Sequence, residues 1–177
     1  NQNKHKQVID YLLKKGLAFK CFCEKEKPTE KNIEKISTRE PAFRSPWRDL
    51  SKNTQPNKQY VVRFKVPSEP SRIHFTDKVR GELSWDLNTI EDFVIARSDG
   101  SSTYNLAVVV DDHNMKISHV IRGEDHLTNT VKQLLLYQAL NWVTPEFAHI
   151  PLIHNDKGEK LSKRDGNSSL LDFKQEG

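Results

Sequence analysis

Residues 160–164 read Lys-Leu-Ser-Lys-Arg and follow a turn written Asn155-Asp156-Lys157-Gly158. Lys160, Lys163 and Arg164 on one loop can converge on a triphosphate. There they would neutralise the charge that builds as pyrophosphate leaves, the main catalytic demand where little covalent chemistry falls to the protein. Ser162 adds a small hydrogen-bond donor without bulk. Most basic pentapeptides are solvated loops, so the surrounding sequence has to decide.

Charge distribution is the second chemical signal. Residues 1–65 hold 16 Lys and Arg against 7 Asp and Glu, and residues 66–177 hold 12 against 17, within a net charge of +4. A basic front half points to a polyanion, nucleic acid before others. A solvated lysine-rich surface would look the same. With 35% hydrophobic and 29% charged residues, the chain falls among globular rather than disordered proteins. No apolar run reaches the roughly 18 residues of a membrane span. The polar start Asn1-Gln2-Asn3-Lys4 carries neither a leader nor an initiator Met, which reads as a fragment of a cytoplasmic protein. Cys21 and Cys23 stand too close for an ordinary structural disulfide, in keeping with a reducing compartment.

The elements that must position these groups follow from periodicity. Val8, Ile9, Leu12 and Leu13 fit an amphipathic helix closed by Gly16. Residues 21–57 are charged and Pro-rich, with one short helix expected at 30–36. Residues 60–66, 73–75 and 93–95 read as strands. Ser98-Asp99-Gly100-Ser101 is a turn, and the nearly continuous apolar run 104–110 suits a buried strand. Residues 117–121 read as the next strand. A helix capped by Asn129 or Thr130 follows, with Val131, Leu134, Leu135 and Gln138 on one face. Residues 149–153 close the pattern as a strand. The front is therefore α+β with antiparallel strands, and the back alternates strand, helix and strand as an open parallel sheet does.

The pentapeptide resembles the second signature motif of class I aminoacyl-tRNA synthetases, in the form found in glutamyl enzymes. Upstream, Arg97-Ser98-Asp99-Gly100, Thr103-Tyr104-Asn105, Val108-Val109-Val110-Asp111-Asp112 and Val120-Ile121-Arg122-Gly123-Glu124-Asp125-His126-Leu127 occur in the family's order. So do Leu136-Tyr137-Gln138-Ala139-Leu140 and His149-Ile150-Pro151-Leu152-Ile153. The resemblance is dense over 93–173 and looser over 5–92. It implies an α/β fold: the second half of a Rossmann-type nucleotide-binding domain with an inserted α+β connective domain. Residues 1–20 would end the first half of the catalytic domain, 21–104 would form the insertion that grips the tRNA acceptor stem, and 105–177 would carry the second half.

The implied reaction joins L-glutamate to tRNA(Glu) with ATP, through glutamyl-adenylate and transfer to the tRNA 3′ end. By similarity, Lys160 and Lys163 are the catalytic cations, and ATP is held by Lys163, Lys160, Leu161, Ser162, Leu152 and Ile153, with Mg2+ arriving on the nucleotide. Arg122 matches the position that pairs with the substrate's side-chain carboxylate, as a guanidinium fork does and an ammonium cannot. A scaffold ion pair with Glu124 or Asp125 is its bland alternative. Tyr104, Val108 and His126 complete the implied glutamate site, and a core tyrosine and a helix-start histidine are the plain readings of the first and last. Lys52, Lys58 and Arg63 would meet tRNA phosphates. Cys21-x-Cys23 resembles half of a zinc site found in some members, but Arg44-Ser45-Pro46-Trp47-Arg48 stands where a second ligand pair is needed, so no metal site is expected.

The sequence contains no His-x-Gly-His, the family's first motif, nor the helical anticodon-binding domain, so the 177 residues alone are expected to be inactive and the intact parent a monomeric enzyme. Alternatives of the same kind are a glutamyl-queuosine tRNA(Asp) synthetase and a glutaminyl enzyme. A non-catalytic tRNA-binding module is the alternative of a different kind.

Overall fold

The computed structural model describes residues 2–22, 42–50 and 58–153. The helix expected at 30–36, the turn at 155–158, Lys52 and the loop 160–164 lie outside them. Helix α1 (Gln2–Lys14) buries Ile9 and Leu12. Gly16, at φ +70°, lets the chain turn back so that Leu17 N–H reaches the Leu12 carbonyl at 2.9 Å. A left-handed residue closes the helix here, a conformation that a Cβ would resist. Three antiparallel strands follow in the order β1 (Ala18–Cys21), β2 (Val61–Phe64), β5 (Val94–Ala96). Alternation in β2 sends Val62 and Phe64 into the core.

A second sheet has the order β4 (Gly81–Asp86), β3 (Arg72–Asp77), β7 (Glu146–Ile150), β6 (His119–Gly123). The pair β3/β4 is an antiparallel hairpin, whereas β3/β7 and β6/β7 are parallel. Strand β4 is absent from the strands expected of the sequence, although Glu82-Leu83-Ser84-Trp85 alternates polar and apolar. Through β3 the sheet draws on residues from both sides of position 104.

Residues 104–110 are not a strand. They open helix α2 (Tyr104–Met115), which buries Leu106, Val109 and Val110. An apolar run is compatible with a buried helix or a buried strand, and three consecutive valines favour the strand by propensity. Packing between α1, the sheet and the next helix overrides that preference. His5 bonds Asp111 and Ser102, both at 2.9 Å, and Lys4 bonds Asn114 at 3.1 Å, tying α1 to this helix and the turn before it.

Helix α3 (Leu127–Leu140) starts three or four residues earlier than expected, because a 3-10 turn at Glu124–His126 feeds into it directly. Thr130 is thus inside the helix and buried, not its cap. Gln138 is exposed and Tyr137 takes the buried place instead. Strand β7 begins at Glu146 rather than 149 and stops at Ile150, since Pro151 has no N–H for the ladder. Leucines and valines of α2 and α3 share one core with β1, β2 and β5.

Candidate functional site

Parallel strands β6 and β7 end side by side, pairing Arg122 with His149 and Gly123 with Ile150. Arg122 is half-buried and its contacts are specific. Nη2 donates to Thr130 Oγ1 at 2.6 Å and to Gln133 Oε1 at 2.9 Å, and Nε donates to His149 Nε2 at 3.3 Å. The guanidinium lies 5.5 Å from the Phe147 ring centre. Burial pulls its pKa below the usual arginine range, while a hydrogen bond with Tyr104 and the charge of Asp112 oppose that pull.

Tyr104 opens α2, with Val108 and Asp112 one and two turns along on the same face. As a strand the Tyr104–Val108 separation would be about 13 Å, whereas in a helix the rise is about 6 Å. Tyr104 is half exposed, Val108 is half-buried, and the Tyr104 ring lies 6.3 Å from that of His126. The structure therefore brings Arg122, Tyr104, His126 and Val108 to one end of the parallel sheet. Asp112 is pushed up by burial and by Asp111, with Arg122 opposing. Burial and Asp112 together push the Tyr137 hydroxyl well above its ordinary range, and that hydroxyl has no hydrogen-bond partner among the described residues.

Leu152 and Ile153 lie just past the end of β7. Leu152 N–H donates to Glu124 Oε1 at 3.3 Å, and Glu124 also pairs with Arg80 from the β3/β4 turn. Ile153 is 76% exposed, a large apolar side chain facing solvent. A Cβ on Gly123 would sit 2.6 Å from Asp125 Oδ1 and 3.3 Å from Leu152 Cδ2, so any larger residue would displace these two side chains.

The basic candidates separate. Lys58 is exposed. Arg63 is not a free surface cation: Nη1 donates to the Asp92 carbonyl at 2.6 Å, and its guanidinium lies 5.5 Å from the Phe43 ring centre. Arg44 and Arg48 also converge on buried Asp92, Arg48 at 2.5 Å. The segment where a zinc site would need its second ligand pair does reach Cys21, but it brings Ser45, whose Oγ is 3.3 Å from Cys21 Sγ, and Trp47, which packs edge-on against Phe22 at 4.9 Å. Cys23 lies outside the described residues. Among the described residues, no group of three or more His, Cys, Asp or Glu converges as a metal cage would.

Sequence reasoning missed the polar groups behind Arg122. Asp77, Thr130, Gln133 and His149 are all buried. Burial by itself would raise the Asp77 carboxyl, but hydrogen bonds from the His149 ring and from the His149, Arg80 and Val79 backbone outweigh it and hold the group at about 2.

The family described as tRNA synthetases class I (E and Q), catalytic domain, matches residues 1–177. The chain belongs to this family. The synthetase chain is 47% identical over 177 residues to glutamate–tRNA ligase 2 of Anaplasma phagocytophilum (strain HZ), covering 98% of this chain and 37% of that protein. It is 45% identical over 178 residues to glutamate–tRNA ligase 1 of Gluconobacter oxydans (strain 621H), covering 99% and 38%. It thus spans little more than a third of the length of these relatives. A crystal structure of a glutamate tRNA ligase from Elizabethkingia meningosepticum, in complex with its amino acid, superposes with a TM-score of 0.68 at 34% identity, covering 93% of this chain and 36% of that one. The glutamate–tRNA synthetase of Elizabethkingia anophelis gives 0.69 at 32%, covering 93% and 37%. The mixed α/β fold with a parallel sheet is that of the synthetase catalytic domain. No helix among the described residues is long and apolar enough to cross a membrane.

Proposed function

We propose that the chain is part of a glutamate–tRNA ligase that forms glutamyl-adenylate from L-glutamate and ATP and passes the glutamyl group to the 3′ end of tRNA(Glu). The observation that carries this reading is the half-buried Arg122 guanidinium. Its direct hydrogen-bond partners behind the strand are Thr130, Gln133 and His149, while Asp112 acts on it through space. Its charge calls for an anion on the side of Tyr104, and a substrate carboxylate bound by the remaining arm, Nη1, would be charge-assisted and desolvated. Glutamine offers an amide there and leaves the charge unpaired, which is the basis of discrimination.

Tyr104 would donate its hydroxyl and wall the pocket, Val108 would give an apolar contact, and His126 would lie toward the reacting end and the tRNA terminus. Leu152 and Ile153 would face the nucleotide from the end of β7. Lys160 and Lys163, with Leu161 and Ser162 between them, would hold the ATP phosphates, and Mg2+ would come with the nucleotide rather than in a protein cage. Lys52 and Lys58 are proposed phosphate contacts for tRNA. The ligase would act as a monomer in the cytoplasm.

The test is glutamate-dependent exchange of pyrophosphate into ATP by the full-length ligase carrying this segment, with tRNA(Glu) present. Exchange with glutamate and not with glutamine, lost in Arg122→Ala, is the expected result. Exchange that prefers another amino acid would overturn the proposal.

A further inference from the structure

Behind Arg122 a chain of buried groups leads through His149 to Asp77, which no step above uses. Asp77 and His149 are 1% and 0% exposed. Asp77 Oδ2 faces His149 Nδ1 at 2.6 Å, while Oδ1 accepts from the His149, Val79 and Arg80 backbone N–H groups at 3.1, 3.0 and 3.0 Å. On the other side of the imidazole, Nε2 is 3.3 Å from Arg122 Nε and 2.8 Å from Thr130 Oγ1.

One proton arrangement satisfies Arg122, His149 and Asp77 together, with the Thr130 hydroxyl, which also reaches the His126 carbonyl at 3.2 Å, turned to His149 Nε2. Arg122 Nε carries a hydrogen and no lone pair, so the nitrogen it points at must be bare. A carboxylate accepts and does not donate, so the nitrogen facing Asp77 must carry the proton. His149 is then neutral, with the proton on Nδ1. Its other face, together with Thr130 and Gln133, occupies the Nε and Nη2 hydrogens of Arg122. Nη1 makes none of these contacts and is the arm left for Tyr104 and a ligand.

We propose that Asp77 and His149 are positioning residues for Arg122: the carboxylate fixes the imidazole tautomer, and the imidazole fixes the guanidinium so that Nη1 meets the substrate carboxylate. The inference rests on the glutamate-binding role proposed above for Arg122. It extends the recognition site from the strand ends to the turn of the β3/β4 hairpin, because Asp77 is the last residue of β3. A second contact ties that turn to the site, the Arg80–Glu124 ion pair.

The substitution Asp77→Asn is the sharpest probe. Asparagine keeps a carbonyl oxygen for the three backbone N–H groups but puts an NH2 against His149 Nδ1. The imidazole must then move its proton to Nε2 and set it against Arg122 Nε–H, as an Asp→Asn change behind a catalytic histidine forces the wrong tautomer. In the full-length ligase, Asp77→Asn and His149→Phe should each raise the KM for glutamate by about tenfold or more, as loss of an orienting partner does. The KM for ATP should stay within about twofold, because the hydrogen bond that places Leu152 runs to Glu124 and not to Asp77 or His149. His149→Gln, which can present an oxygen near the Nε2 position, should recover most of the loss.

A merely structural role would lower the melting temperature and the active fraction with the glutamate KM unchanged, and that result overturns the proposal. So does a His149→Gln variant as damaged as His149→Phe. If His149→Phe does not fold, Asp77→Asn decides alone. A wild-type ligase that activates no glutamate overturns the function itself, and this inference with it. A wild-type ligase that does, beside an Asp77→Asn variant with normal glutamate KM, overturns only the inference.

Discussion

Arg122 is where the proposed recognition of glutamate and the cost of burial meet. A guanidinium taken partly out of water is costly unless hydrogen-bonded, and its bonds to Thr130, Gln133 and His149 reduce that cost. Removing it should therefore damage one substrate selectively. Arg122→Ala should lower kcat/KM for glutamate by on the order of 10²-fold or more, since truncating a buried charge partner costs about 2–5 kcal/mol. Arg122→Lys should recover little of it, because a compact ammonium cannot bond Thr130, Gln133 and His149 and still reach the carboxylate. An equal loss of ATP affinity, measured by varying ATP in the exchange assay, would contradict this assignment. Lys163→Ala should act differently, lowering kcat about 10²–10³-fold with glutamate KM nearly intact, because its charge counts most as pyrophosphate departs.

Asp77 also predicts a pH dependence. Its folded pKa of about 2 lies below the ordinary value of 3.8, so between those values the unfolded chain binds the extra proton. The stability Asp77 contributes is present above about pH 4 and is lost as pH falls toward 2. It amounts to something on the order of 2 kcal/mol. Acid unfolding followed by circular dichroism should be less steep over that window in Asp77→Asn.

At the scale of elements, arginines tie residues 42–48 to the loops that flank the three-stranded sheet. Arg48 reaches the Asp92 carboxylate at 2.5 Å and the Val66 carbonyl at 2.7 Å, Arg44 bonds the Leu87 carbonyl at 3.1 Å, and Val66 N–H donates to the same Asp92 at 3.0 Å. Breaking such a buried pair leaves an uncompensated charge. Asp92→Ala should cost about 3–5 kcal/mol in urea unfolding, well beyond the effect of an exposed substitution such as Lys58→Ala. Helix α2 makes the complementary point. Its helical spacing places Tyr104 and Val108 on one face, next to the end of β6, which an extended strand could not do in the same span.

Across the whole molecule, the excess of 16 basic over 7 acidic residues in the first 65 is partly internal. Arg44, Arg48 and Arg63 are turned inward on Asp92 and its carbonyl, so the charge available to a polyanion is smaller than composition implies. Charge reversal at Lys52 and Lys58 in the full-length ligase should weaken tRNA binding and reduce the salt slope by about one for each phosphate left unneutralised. Arg63→Glu should instead destabilise the front sheet. An unchanged slope in the lysine variants would mean that these side chains are simply solvated.

The sequence by itself determined the family and the position of the charged groups, because ordered short motifs such as Arg122-Gly123-Glu124-Asp125-His126 are local and survive as text. It also indicated α1, α3 and strands at β2, β3, β5 and β6, where periodicity and turn residues agree, but of β7 only the last two residues. Only the tertiary structure decided that residues 104–110 are helical, since an apolar run is equally suited to either buried element until its packing partners are known. It likewise decided that the β3/β4 hairpin joins the parallel sheet, through a single parallel pairing of Asp77 with Phe147. Asp77 and His149 are 72 residues apart in the chain. No spacing rule could link them, because what unites them is burial, where an unpaired carboxylate and an imidazole of undefined tautomer would both be costly.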